Sequence, residues 1–307
     1  MNKKILAVAV AAAFAVPAIA AADTTLYGQV NFEVQSLDGD IDTGSYGSRI
    51  GVKGSEDLGG GLKGIWQVEG SITLSDPSDA NWNRNTFVGL NGGFGTVIGG
   101  RYDHPYKIAS LPFRNFGDTL VDSTAGSGSK GGNFRAQSFL RSSGVVAYVS
   151  PSMSGFQVLA AVVPFTDDNG DGQTPFSLAA TYKQGPVYLT LAYEDMEDAG
   201  LDYETALVGG TYKIGGLTAG VMYEQKETQS TNEETARWLI PVTYDLNSNW
   251  TLRGAVQMDD PDAGDDATDF ALGAQYKFSK RTETYFNVVT RDDNETTDFG
   301  LGVRHKF

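Results

Sequence analysis

The chain has 307 residues, with 23 basic and 38 acidic side chains and no cysteine. Its formal charge of −15 disfavours nucleic acid as a partner, because phosphate binding requires clustered Lys and Arg side chains. Without cysteine, neither a disulfide framework nor a thiolate metal site can form.

The N-terminus predicts a secretory signal peptide, residues 1–22. Lys3 and Lys4 precede an uncharged apolar run, and the small residues Ala20 to Ala22 follow it. We place the cleavage before Asp23, and Ala18-Ile19-Ala20 offers a second site two residues earlier. Removal of residues 1–22 leaves 21 basic and 38 acidic side chains, a formal charge of −17 over 285 residues.

Beyond the signal peptide, apolar and polar residues alternate with a period of two, which is typical of β-strands with two unlike faces. Trp250, Leu252 and Val256 share one face of such a segment, and Thr251 and Gln257 share the other. No uncharged apolar stretch approaches the roughly 20 residues that a membrane-spanning helix needs. The clearest predicted strands are Val187–Glu194, Leu217–Glu224, Trp250–Asp259, Asp269–Phe278 and Asp298–Phe307.

The connections between strands are alternately tight and long, and the long ones are mostly acidic. Gly, Asn, Ser or Pro residues mark the tight turns. These turns are Leu58–Gly61, Asn91–Gly95, Pro151–Gly155, Lys183–Val187, Lys213–Gly216, Asp245–Asn249 and Phe278–Thr282. Seven hairpins and one strand at each end give about sixteen strands, an even number that lets an antiparallel sheet close without an edge.

The sequence therefore predicts an all-β protein, a transmembrane antiparallel β-barrel over residues 23–307 with short periplasmic turns and long extracellular loops. In hydrocarbon, strands can pair every backbone N–H and C=O only by closing into a barrel. Apolar faces should then contact lipid, and polar faces should line the lumen. A soluble β-sandwich or β-helix also alternates, but its apolar faces should not dominate so uniformly over the whole chain.

Several segments, in order and spacing, resemble the trimeric general diffusion porins of Gram-negative outer membranes. They are Leu26-Tyr27-Gly28, Ser48 to Gly54, Glu56 to Gly59, Trp66 to Glu69, Arg84 to Leu90, Gly99 to Arg101 and Gly302 to Phe307. The resemblance implies a homotrimer that passively conducts ions and small hydrophilic solutes. It also implies contact with outer-membrane lipid and lipopolysaccharide, and gives no reason to expect a cofactor.

The resemblance further implies that the third loop folds inward and narrows the channel. The longest segment without alternation, Asp103 to Arg135, fits this constriction loop. It carries one basic and two acidic candidates, and the wall across from it carries arginines at the positions that match the family. The predicted lining residues are Arg49, Lys53, Glu69, Arg84, Arg101, Arg114, Asp118, Asp122 and Arg141.

Two features of these candidates depart from a simple pattern. Strict alternation groups Arg84 with the apparently lipid-facing Val88 and Leu90, so a β-bulge or a rim position is needed to bring it inward. Many porins of this kind have a glutamate directly after a proline in the third loop, whereas here Phe113 follows Pro112. Asp118 and Asp122 could restore an acidic wall, so the sign of the ion selectivity stays open.

Parts of the sequence are compatible with three other functions. Asp167, Asn169 and Asp171 copy the start of a calcium loop, but Leu178 stands where a glutamate should close it, so an acidic loop is favoured. An outer-membrane enzyme with a His-assisted serine nucleophile would need His104 or His305, and no Gly-x-Ser-x-Gly elbow accompanies either. A structural barrel or adhesin with a closed lumen would differ from a porin in having no conductance.

Overall fold

The computed structural model describes residues 23–74, 80–122, 133–163, 174–196, 201–292 and 296–307. The predicted signal peptide lies outside these ranges, as do Asp167, Asn169 and Asp171 of the candidate calcium loop. Within them, no group of three or more His, Asp or Glu side chains could hold a metal ion. No helix in the same ranges is long and apolar enough to cross a membrane.

Seventeen antiparallel strands form a single sheet in the described part of the chain. Their bounds are β1 (Asp23–Leu37), β2 (Asp40–Gly44), β3 (Arg49–Gly59), β4 (Leu62–Ser71), β5 (Thr86–Gly92), β6 (Gly95–Asp103), β7 (Arg141–Val149), β8 (Phe156–Val162), β9 (Phe176–Gln184), β10 (Val187–Asp195), β11 (Tyr203–Ile214), β12 (Leu217–Thr228), β13 (Glu233–Asp245), β14 (Trp250–Pro261), β15 (Ala267–Lys277), β16 (Thr282–Arg291) and β17 (Thr296–Lys306). One short helix, α1 (Pro105–Ser110), and 3-10 turns at Leu111–Phe113 and Leu120–Asp122 lie between β6 and β7.

The sheet closes on itself where β1 pairs with β17, from Gln29 opposite Lys306 to Ser36 opposite Phe299. The backbone of Phe307 extends this pairing through hydrogen bonds of 3.0 and 3.1 Å with Gly28. β2 and β3 share one position in the wall, since β2 pairs with the second half of β1 and β3 with the first half. The barrel therefore has sixteen wall positions, which confirms the predicted even number.

The alternation predicted from the sequence separates the two surfaces of the wall. On β17, Phe299, Leu301 and Val303 are 43–57% exposed, whereas Asp298 before them and Arg304 after them are at most 6% exposed. The buried side chains point into a lumen that a loop partly fills. All seven predicted tight turns join neighbouring strands at one end of the barrel, and the longer connections lie at the other end.

Candidate functional site in the barrel lumen

The connection between β6 and β7 folds into the barrel. Its root is closed by a hydrogen bond of 3.2 Å from the N–H of His104 to the carbonyl of Leu140. Helix α1 begins directly after His104 with Pro105, whose fixed φ suits the first helical position and whose missing N–H is not needed there. We call residues 104–122 and 133–140 the inner loop.

Aromatic side chains of the inner loop form the core of the lumen. Phe113 and Phe116 are fully buried against inward-facing apolar residues of the wall, such as Leu239. Two inward glycines make room for them. A Cβ atom at Gly209 would lie 2.5 Å from Cζ of Phe113, and one at Gly273 would lie 2.9 Å from Cε1 of Phe116. The inner loop is therefore packed against the wall like an internal element rather than left free.

Polar side chains also fix the inner loop to three strands, β12, β13 and β14. The hydroxyl of Tyr106 donates to Oε1 of Glu224 on β12 at 2.8 Å. Asn115 donates from Nδ2 to the carbonyls of Val242 and Gly254, on β13 and β14, at 3.0 and 2.9 Å. A buried polar group without a hydrogen-bond partner costs free energy, so a loop that ran elsewhere would lose these bonds at a cost. The bonds therefore both attach the loop to the wall and determine where it runs.

His104 makes hydrogen bonds to two residues that lie far from it in the sequence. Its Nδ1 lies 2.7 Å from Oε2 of Glu194, and its Nε2 lies 2.8 Å from Oγ of Ser142. Serine, histidine and carboxylate occur here in the order of a nucleophilic triad. However, His104 and Glu194 are 0% exposed, so no solute can reach the imidazole. The chain of bonds instead anchors the root of the inner loop.

Between the inner loop and the β3–β7 side of the wall lies a cavity of about 410 Å³. Six cationic and three anionic side chains border it, a net formal charge of +3. They are Arg49, Arg84, Asp103, Lys107, Arg114, Asp118, Asp122, Arg135 and Arg141. We call this cavity the charged constriction.

Asp118 joins the wall to the inner loop. Its carboxylate lies 3.2 Å from Arg49 of β3 and 3.0 Å from Arg114 of the loop, and Arg114 also pairs with Asp122. Burial alone would raise the pKa of Asp118, but Arg114, Arg49 and Arg304 together lower it to about 2. This carboxylate therefore stays ionised at every ordinary pH.

Asp103 makes the second link between wall and loop. Its Oδ1 lies 2.7 Å from Nζ of Lys107 and 2.8 Å from Nη2 of Arg141. Burial lowers the pKa of Lys107 to about 8, although Asp103 partly opposes the shift. On the wall, Arg84 pairs with Glu69, which also accepts a hydrogen bond of 2.8 Å from the hydroxyl of Tyr27.

Six of the nine predicted lining residues border the charged constriction: Arg49, Arg84, Arg114, Asp118, Asp122 and Arg141. Glu69 lies behind Arg84 as its ion-pair partner. The other two lie elsewhere. Lys53 stands over the ring of Tyr27, 5.1 Å from its centroid, and Arg101 donates to the carbonyl of Asn83 at 2.6 Å and to Ser143 at 2.9 Å.

Arg84 borders the cavity without a β-bulge in β5. β5 begins at Thr86, so Arg84 precedes the strand and the alternation of the strand does not apply to it. The charged cavity residues missed as individual candidates are Asp103, Lys107 and Arg135, and the aromatic Phe139 was missed as well. The spacing of Asp103 and Lys107, four residues apart, could have indicated their ion pair on a helical turn. Nothing in the sequence marks Arg135 or Phe139.

Comparisons with known proteins agree with this architecture. The family model for Gram-negative porins matches residues 7–297. The major outer membrane protein P.IB of Neisseria meningitidis serogroup B is 31% identical over 352 aligned positions that cover 100% of both chains. The corresponding protein of Neisseria gonorrhoeae is 28% identical over 367 positions, again with 100% of both chains covered.

Solved structures show the same fold at low identity. The anion-selective porin from Comamonas acidovorans has a TM-score of 0.75 and 22% identity, and the match covers 93% of this chain and 100% of that one. The trimer form of OmpT from Vibrio cholerae has a TM-score of 0.70 and 22% identity, over 94% and 100% of the two chains. With a family model matched over most of its length and a relative 31% identical over all of it, this chain belongs to the Gram-negative porins and is a channel of the outer membrane rather than an enzyme.

Proposed function

We propose that this porin is a passive diffusion channel whose constriction favours anions among the ions and small hydrophilic solutes that pass. The observation that carries the proposal is the net charge of +3 on the side chains bordering the constriction. Glu69, paired with Arg84, reduces it only to +2. Fixed positive charge in a narrow, low-dielectric passage raises the local concentration of anions and lowers that of cations.

The sign is opposite to that of residues 23–307 as a whole, which carry −17. The difference arises because the acidic residues concentrate in connections at the loop end, such as Asp262, Asp265 and Asp266, while arginines concentrate inside. The structural neighbour from Comamonas acidovorans is described as anion-selective. At 22% identity that likeness concerns the fold, so the support comes from the residues of this chain.

Reversal potentials in planar bilayers under a potassium chloride gradient test the proposal, and Arg49→Ala is the first variant to compare. We expect an anion preference in the wild type and a shift toward cations in the variant. One charge about 6 Å from a permeating ion contributes about 0.7 kcal/mol in water, or roughly threefold in the permeability ratio. Lys213→Ala, at the exposed tight-turn end of β11, should leave the ratio unchanged. A cation-preferring wild type would refute the proposal, and a silent bilayer would favour a closed barrel.

The constriction also gives the selectivity a pH dependence. Lys107 has a pKa of about 8, so it is largely protonated at pH 7 and largely neutral at pH 9. Raising the pH through this range should remove one positive charge and lower the anion preference by up to about threefold. The reversal potential measured at pH 7, 8 and 9 follows the change. Lys107→Gln should show the low preference at all three values, and an equally steep pH dependence in this variant would assign the titration to another group.

We also propose that the chain assembles as a homotrimer through the β1–β4 sector, with the rest of its outward surface against outer-membrane lipid and lipopolysaccharide. Exposed aromatic residues ring the tight-turn end of the other strands, where such belts meet lipid headgroups. They are Phe94, Phe156, Tyr212, Tyr244, Trp250, Phe278 and Phe307. On β1 and β3 the corresponding exposed residues are the aliphatic Leu26 and Leu58. Trp82, in the connection after β4, is 69% exposed, as expected for a residue that a neighbouring protomer covers.

Trp82→Ala tests the proposed interface. A tryptophan buried between protomers commonly contributes at least about 2 kcal/mol, so its loss should lower the temperature at which trimers dissociate in detergent. The measurement is gel mobility or light scattering against temperature. Phe278→Ala removes an aromatic ring from the turn end and should leave the dissociation temperature unchanged. A monomeric wild type, or trimers of equal stability in both variants, would overturn the proposal.

A further inference from the structure

Phe139 lies at the centre of three cations of the inner loop. Nζ of Lys107 is 4.3 Å from its ring centroid, and the guanidinium carbons of Arg114 and Arg135 are each 5.0 Å away. The three cations come from separate parts of the loop: helix α1, the turn after it and the returning segment. The negative faces of an aromatic ring attract cations, so one phenylalanine holds together three charges that repel one another.

These cations are unequally matched by carboxylates. Lys107 pairs with Asp103, and Arg114 pairs with Asp118 and Asp122. Within the described residues, Arg135 forms no ion pair. It donates from Nη1 to the backbone carbonyl of Asp122 at 3.3 Å, and its buried Nε has no hydrogen-bond partner in those ranges. Arg135 thus brings a positive charge into the constriction that no carboxylate of the described residues contacts directly.

The chemistry of the group favours a particular class of anion. A guanidinium presents N–H donors in a planar fork that matches two oxygens of a phosphate or sulfate, and an ammonium adds a point charge. Chloride can accept hydrogen bonds but offers no such pair of oxygens. One water molecule takes roughly 30 Å³ in the liquid. The cavity of about 410 Å³ therefore has room for a tetrahedral oxyanion and several waters.

We propose that Lys107, Arg114 and Arg135, gathered around Phe139, form a binding site for a divalent oxyanion of the phosphate or sulfate type. The inference rests on the anion-preferring constriction and adds to it a place where such an ion dwells. A channel with this site conducts the oxyanion in a saturable way. While the site is occupied, the bound ion also obstructs chloride.

The test is the single-channel chloride current of the purified full-length porin with increasing sulfate on both sides at constant chloride activity. In the wild type, sulfate should reduce the current to a plateau with a measurable half-blocking concentration. Arg135→Gln should raise that concentration at least tenfold. Phe139→Leu keeps every charge and should also raise it several-fold, which a role of net charge alone would not produce. Arg281→Gln, at an exposed turn outside the constriction, is the matched control and should behave like the wild type.

Further variants and solutes separate the remaining explanations. Arg135→Lys keeps the charge but loses the planar fork, so its half-blocking concentration for sulfate should lie between those of the wild type and Arg135→Gln. Inorganic phosphate and glycerol phosphate, with glycerol as the uncharged control, distinguish a site for the free ion from one for a phosphoryl group on a larger solute. Block by either phosphate supports the site.

Two results would overturn the proposal, provided that each variant runs as a folded, heat-modifiable barrel on gels. The first is a wild-type chloride current that sulfate and both phosphates leave unchanged while the anion preference persists. The second is an unaltered block in Arg135→Gln or Phe139→Leu. A wild-type channel that prefers cations would instead overturn the proposed function itself, so the two failures can be told apart.

Discussion

Replacing Arg49, Arg84 and Arg141 together with glutamine will reverse the selectivity of the channel from anions to cations. The three arginines lie on the wall side of the constriction, and their removal changes the charge of the bordering side chains from +3 to zero. Glu69, which Arg84 then no longer neutralises, makes the passage negative. At about threefold per charge, the permeability ratio should fall by roughly thirtyfold before screening. Because the Debye length is about 10 Å in 0.1 M salt, a fall of about tenfold is the realistic expectation.

Reversal potentials under a tenfold gradient of potassium chloride measure this change directly. The matched control replaces Lys183, Lys213 and Lys280, three exposed lysines at the tight-turn end, with glutamine. It removes the same formal charge from the protein but none from the constriction, so the anion preference should remain. A wild-type reversal potential in the arginine triple variant would show that these wall residues do not set the selectivity. Reversal in the lysine control would assign selectivity to the mouth of the pore.

The barrel wall was predictable because its determinants are local. Alternation with a period of two fixes which face of a strand is apolar, and Gly or Asn at a turn fixes where the strand reverses. Arg49 could be assigned to the lumen from its strand neighbours alone. Arg84 could not, because it lies just before β5, where no alternation constrains it.

The path of the inner loop was not predictable in this way, because distant residues determine it. Phe113 fits against Gly209 of β11, and Asn115 bonds to carbonyls 127 and 139 residues away. The partners of His104 likewise lie 38 and 90 residues away. A single sequence contains these residues but no signal that pairs them. The position of Phe139 among three cations follows only from the folded loop.

The double variant Phe113→Ala, Phe116→Ala should largely detach the inner loop from the barrel wall. Both rings are fully buried between loop and wall, and truncating a buried phenylalanine to alanine costs about 3–5 kcal/mol. The lost packing should leave the barrel closed, since neither residue belongs to a strand. Amide hydrogen exchange in residues 104–122 should therefore accelerate by at least about a hundredfold, with little change in the strands. Phe270→Ala, which removes an outward phenylalanine from β15, is the control.

Gly209→Ala changes the wall side of the contact between Gly209 and Phe113. Alanine is no worse than glycine in a strand, but its Cβ would lie 2.5 Å from the ring of Phe113 and 2.9 Å from the backbone oxygen of Val221, so the ring and the adjoining strand must shift. If packing of these rings holds the inner loop, both variants should accelerate exchange in the loop and add flicker to the open-channel current. If exchange stays slow in both, the polar anchors at Tyr106, His104 and Asn115 are sufficient alone, and the constriction owes its shape to hydrogen bonds rather than to the apolar core.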